Sequence, residues 1–267
     1  MAVTSLPAHA RSAQTASGDR RTYGRLRIAN LGLVVLHAGQ AALILALGAS
    51  LELPVTAQWA DGPPGSQLPP PETLFDVQVR WAVAAFLLLA AIDHLVVSAP
   101  RVHRWYEDKL ALGVNYARWI EYSFSASLMI VLIAMFTGIA DLRALLAIAG
   151  VNAAMILFGL LMEHTNLGRD RPDWLPFWFG CIAGSVPWIA ITISLVGSER
   201  NGEVPGFVYG IFVSLFILFN SFALNMALQY RQVGPWRRYL FGEWGYLFLS
   251  LTAKSALAWQ IYAGALA

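Results

Sequence analysis

Lys254 is the residue around which any chemistry of this chain must be argued, because it is a lone ammonium in the apolar stretch 249–260. Counted from Leu240 it lies ~21 Å along a helix, too deep for its side chain to reach a membrane surface from either end. A charge held at that depth costs roughly 3 kcal/mol or more. Three roles fit such an amine: covalent linkage to a carbonyl cofactor, a station on an ion path, or a structural ion pair. The groups that bear on the choice are Glu121, His37, Asp93 and His94, with Ser250 four residues before Lys254 and on the same helical face. Arg118 and Glu121 are three residues apart, so mutual neutralisation competes with a distant role for either. A single intramembrane histidine is more often a hydrogen-bonded packing residue than a ligand, and the two histidines gain interest only in company.

The elements that must position these groups are membrane spans. Of the 267 residues, 57% are hydrophobic and 13% charged, which is the balance of a polytopic membrane protein. Seven apolar segments, at 28–50, 76–99, 110–139, 142–163, 177–198, 206–229 and 240–264, each reach about the ~20 residues that a helix needs to cross a bilayer. The expected fold is an all-α membrane protein, a seven-transmembrane-helix bundle in the lipid bilayer of the cell (plasma) membrane. Residues 1–27, rich in Ser, Ala, Thr and Arg and without an apolar signal region, read as a flexible cytoplasmic tail ahead of a domain over 28–264. Residues 51–75 are proline-rich and contain neither Lys nor Arg. They form a long external loop between helices one and two, with length enough for short β-strands of its own.

Basic residues set the orientation. Thirteen of the 18 fall in the N-terminal tail and in the second, fourth and sixth connections, whereas Arg80, Arg143 and Arg200 alone mark the other side. By the positive-inside rule the N-terminus is cytoplasmic and the C-terminus extracellular. A net charge of +2 distributed this way leaves no basic face, so no nucleic-acid partner is expected. The single cysteine, Cys181, lies within the fifth span and excludes an intrachain disulfide or a thiolate metal site. No catalytic set and no metal ligands are expected, and the chain does not read as an enzyme.

Depth along the spans separates the roles of Lys254. Counting from the cytoplasmic ends puts His37 at ~14 Å and Glu121 at ~16 Å, with Asp93 and His94 ~10 Å and ~9 Å from the same face. The ionisable groups therefore lie level with Lys254 or on its cytoplasmic side. The outer halves offer amides, hydroxyls and phenols, such as Gln40, Ser194, Tyr209, Gln260 and Tyr262, but no central carboxylate. A mid-membrane lysine facing a carboxylate of similar depth suits a protonated Schiff base, whose buried cation needs a counterion. Seven spans, a lysine in the last and a glutamate in the third point to retinal.

The sequence resembles the heliorhodopsin family, microbial-type rhodopsins of inverted topology. The similarity covers the seven spans and is carried by the runs 119–123 (WIEYS), 152–159 (NAAMILFG), 176–181 (PFWFGC), 205–210 (PGFVYG) and 253–260 (AKSALAWQ). The resemblance implies all-trans retinal in the dark, bound to Lys254 as a protonated Schiff base, with Glu121 as counterion. It also implies that His37 and His94 line a polar cavity near Lys254 and Ser250, and that Met129, Asn152, Trp178 and Phe219 belong to the pocket. Residues 51–75 match a loop that contributes to a homodimer. Asp93 and Ala126 depart from the family's usual uncharged and hydroxyl residues at those positions. The implied function is a photoreceptor in which photoisomerisation, all-trans to 13-cis, moves the Schiff-base proton into the cytoplasmic-side cavity and signals to an unidentified cytoplasmic partner. A light-driven or light-gated ion transporter is the competing reading, and a retinal-free protein with a structural Lys254–Glu121 pair is a third.

Overall fold

The computed structural model describes residues 8–202 and 204–267, with side chains from residue 21 onward. The described residues build eight α-helices and one β-hairpin: α1 (Ala8–Leu47), β1 (Glu52–Ala57), β2 (Glu72–Gln78), α2 (Val79–Ser98), α3 (Pro100–Ala111), α4 (Tyr116–Phe136), α5 (Leu142–Thr165), α6 (Leu175–Asn201), α7 (Gly206–Tyr230) and α8 (Tyr239–Ile261). Seven of the helices form the bundle; α3 is short and amphipathic and lies at one end. Six are long and apolar enough to cross a membrane by composition alone. The seventh, α8, is made more polar by Glu243 and Lys254, both of which find partners inside the bundle.

The chain's turn chemistry fixes the helix ends. Asn115 caps α4 by accepting from the Arg118 amide, and Asp141 caps α5 by accepting from the Arg143 and Ala144 amides. Gly113 (φ +83°) and Gly138 (φ +97°) take the left-handed backbone on either side of α4. The third span therefore starts at Tyr116 rather than at 110, because the residues up to Ala111 belong to α3. Glu121 consequently lies only ~8 Å into its helix.

Residues 8–27, expected as flexible tail, are instead the first turns of α1, and residues 1–7 lie outside the described residues. Leu26 is 1% exposed, in a cluster with Val97, Tyr106 and Leu110, and Arg27 Nε donates to the Ser98 carbonyl at 3.1 Å. These contacts with the end of α2 and with α3 extend the helix beyond the apolar segment.

The loop between α1 and α2 does carry strands. β1 and β2 pair antiparallel, with an irregularity between Val55 and Thr56. The Thr56 amide donates to Ala140 O at 2.8 Å and Val79 N to Leu51 O at 2.9 Å, which ties the hairpin to the bundle. Val55 and Ala57 are buried, whereas most of β2 is exposed. The hairpin marks one end of the bundle; the starts of α4 and α8 and the C-termini of α2 and α5 mark the other, here called the basic end.

Candidate cofactor site

Lys254 is 3% exposed and has three neighbours that account for its charge. Its Nζ stands 3.4 Å from Glu121 Oε2, donates to Ser250 Oγ at 2.9 Å, and lies 4.8 Å from the centre of the Tyr122 ring. Ser250 reaches it because residues four apart share a helix face. Glu121 reaches it across the α4–α8 contact, and Lys254 leans toward the start of its own helix, as helical side chains do. In so enclosed a place each charge compensates the desolvation of the other.

Lys254 also lines a cavity of about 530 Å³, within the ~300–1,000 Å³ typical of small-molecule sites. Its walls are mainly apolar: Met129 from α4, Met155 from α5, Trp188 from α6, Phe219 from α7 and Ala253 from α8. Trp188 stands edge-on to Phe212, Phe216 and Phe219, joining α6 to α7. Glycines keep the space open. A Cβ on Gly159 would sit 2.4 Å from the Trp119 ring, and one on Gly184 2.5 Å from Met155 Sδ. An amine opening into an apolar, ring-lined cavity is what a long conjugated aldehyde requires. Glu121 Oε1, buried and without a partner among the described residues, leaves the carboxylate free to serve a second donor at the same nitrogen. The residues present therefore fit retinal.

Met129, Phe219 and Ser250 line this cavity as expected from the resemblance, whereas Asn152 and Trp178 do not. Asn152 is buried between α4 and α5 and donates to Ser127 Oγ at 3.1 Å. Trp178 is 57% exposed. On α6 the stripe Phe177, Cys181, Trp188 and Thr192 faces the cavity, and Trp178 is turned ~100° from Phe177. Trp188 and Tyr122 take the aromatic places that spacing alone did not single out.

The two histidines meet away from this cavity. Their rings stack at 5.7 Å, 6° from parallel, between α1 and α2, and His94 Nδ1 pairs with Asn30 Oδ1 at 2.7 Å. Neither His37 nitrogen has a partner among the described residues. Asp93 and His94 line a second, small cavity of about 20 Å³ toward the basic end, together with Arg118, Tyr122 and Glu243.

Arg118 does not neutralise Glu121. Its guanidinium bridges Glu163 of α5 and Glu243 of α8, and lies 3.8 Å from the Tyr246 ring centre and 4.6 Å from that of Trp119. Trp119 Nε1 and the Asn115 amide donate to Glu163, and the Asn115 side chain donates to Glu243. Sequence reasoning missed both glutamates. Their signal was an acid within or beside an apolar segment, in a chain where Arg118 needed a partner.

Two solved structures share this architecture. A light-driven proton pump from Leptosphaeria maculans superposes with a TM-score of 0.62 at 17% identity, over 89% of this chain and 95% of that one. Exiguobacterium sibiricum rhodopsin superposes with a TM-score of 0.59 at 12% identity, over 93% and 96%. No curated protein sequence matches the chain. The fold is thus that of the microbial rhodopsins, an integral membrane bundle, and the Lys254 site within it fits their chromophore. The heliorhodopsin family model matches residues 26–266, and the chain belongs to that family. Its chromophore is retinal, which supplies light absorption and photoisomerisation when bound.

Proposed function

We propose that this chain is a light sensor rather than a pump. Lys254 holds all-trans retinal as a protonated Schiff base, Glu121 is the counterion, and Ser250 accepts from the same nitrogen. In the light the proton leaves Lys254 Nζ toward the basic end, where His37, His94, Asp93 and the Arg118 cluster lie, and it returns from there. The N-terminus is cytoplasmic and the C-terminus extracellular, so the altered face is the cytoplasmic one and an unidentified signalling partner reads it. Two copies associate through the hairpin, whose strand β2 presents an exposed edge with Leu74 and Phe75.

The observation that carries this reading is the asymmetry of the bundle interior about Lys254. The titratable groups gather toward the basic end. Toward the hairpin the helices close on Ala41, Ile44, Phe86, Ile133, Leu257 and Ile261, all at most 1% exposed. A pump must exchange protons on both sides of the Schiff base, and this half of the bundle offers a packed apolar core instead. The pump of Leptosphaeria maculans shares the fold at 17% identity, which carries no function across.

The test is a light-driven pH measurement on cells expressing the coloured protein in unbuffered medium. No acidification sensitive to an uncoupler is expected. A reproducible external pH drop that the uncoupler abolishes would establish the transporter in place of the sensor.

A further inference from the structure

Asp93 is the carboxylate at the polar end of the bundle interior that the fold leaves unpartnered. Glu121 pairs with Lys254, and Glu163 and Glu243 divide Arg118 between them. Among the described residues Asp93 makes neither a hydrogen bond nor an ion pair. It nevertheless lines the small cavity, whose volume of about 20 Å³ exceeds the ~10–15 Å³ that one water needs.

Tyr122 is a wall of both cavities. Lys254 Nζ stands 4.8 Å from the centre of its ring and opens into the large cavity, whereas Asp93 opens into the small one. Glu121 precedes Tyr122 on the same helix, so the ion pair and Asp93 meet around one aromatic side chain. The other groups facing this space come from every packed element. Helix α1 brings Asn30, and His37 stacked on His94; α3 brings Tyr106; α4 brings Arg118; α8 brings Glu243 and Tyr246. Two cations, Lys254 and Arg118, thus stand among four carboxylates. A proton transferred to either glutamate beside Arg118 must displace charge-assisted hydrogen bonds, which are roughly twice as strong as neutral ones. A proton taken by Glu121 stays 3.4 Å from the nitrogen it left and gains no separation.

We propose that Asp93, in its ionised form, receives the proton released from Lys254 Nζ in the light and holds it until it returns. The inference rests on the light-sensor reading and names the acceptor within it. One N–H bond breaks and one O–H bond forms at the Asp93 carboxylate, the proton passing around Tyr122, the wall that the two cavities share; no electrons change hands and no co-reactant is needed. Tyr122 keeps the held proton apart from the nitrogen and so delays its return.

The experiment is light-minus-dark infrared spectroscopy of the protein loaded with all-trans retinal. A carboxylic-acid C=O band is expected to rise as Lys254 loses its proton, to shift in heavy water, and to vanish in Asp93→Asn, with Asp93→Ser as a second deletion should the first fold poorly. Persistence of the band in both variants, or its loss only in Glu243→Gln, overturns the proposal while leaving the sensor intact. A parent that gains no colour with retinal removes both. A structural role is separated by melting the retinal-free protein: Asp93 has no partner to lose, so Asp93→Asn should unfold no earlier than the parent, and earlier unfolding counts against the proposal.

Discussion

Arg118 and Glu121 lie one turn apart on α4, yet they pair with different helices: Arg118 with Glu163 and Glu243, Glu121 with Lys254. The polar interior is therefore two neighbouring charge systems instead of one local pair. The first ties α4, α5 and α8 together at the basic end. The second puts a single carboxylate against the amine of the cofactor cavity. Asn115 joins sequence to packing here, since it caps α4 while its amide groups bond both glutamates of the first system.

Lys254→Ala is expected to give a folded protein that gains no visible band with all-trans retinal. No other lysine of the chain lies within the bundle helices, so none replaces its amine. Absorption spectra after reconstitution read this directly, and a protein-shifted retinal band in the variant would reassign the attachment.

Glu121→Gln should move the absorption band to the red. A carboxylate 3.4 Å from Nζ stabilises positive charge localised there in the ground state more than in the excited state, where charge has moved away. Removing it narrows the gap between the states. If the spectrum of the variant matches the parent's, the counterion is another group, and Asp93→Asn is the next variant to measure.

Arg118→Met should destabilise the bundle far more than it perturbs colour. It leaves Glu163 and Glu243 buried together without their shared cation, and losing one partner of a buried ionic group costs roughly 3–5 kcal/mol. Adding Glu163→Gln and Glu243→Gln to the same chain should recover much of that loss. Thermal unfolding in detergent compares the single and triple variants; equal melting temperatures for the parent and Arg118→Met would show that the cluster does not hold the helices.

Shortening the hairpin between Ala57 and Glu72, and placing Pro or Lys on the outer edge of β2, should convert a homodimer to a monomer. Exposed strand edges are blocked by such residues because they remove or repel the partner's hydrogen bonds. Native mass measurement gives the outcome. A dimer that survives both changes would place the contact elsewhere on the bundle.

The apolar segments determined by themselves that the chain crosses a bilayer about seven times, because burial in lipid demands some twenty apolar residues per helix and leaves that demand visible in composition. Lys254 announced a site for the same reason: a charge in such a segment is costly enough to be conspicuous. The hairpin was legible only as a proline-rich stretch long enough for short strands; its pairing register, with the irregularity between Val55 and Thr56, and its tie to the bundle through Thr56 and Ala140 belong to the tertiary structure. What sequence spacing misjudged was height and facing. Eleven residues separate Glu243 from Lys254 on α8, ~16 Å, whereas three separate Arg118 from Glu121 on α4, ~4.5 Å, and yet the residues pair in that order. Long arginine and lysine side chains span the difference, and no count along a single helix contains it. The resemblance put Trp178 in the pocket, whereas Trp188 lines the cavity: helical period tells which residues share a face, but only the packing of α6 against α5 and α7 decided which face looks inward.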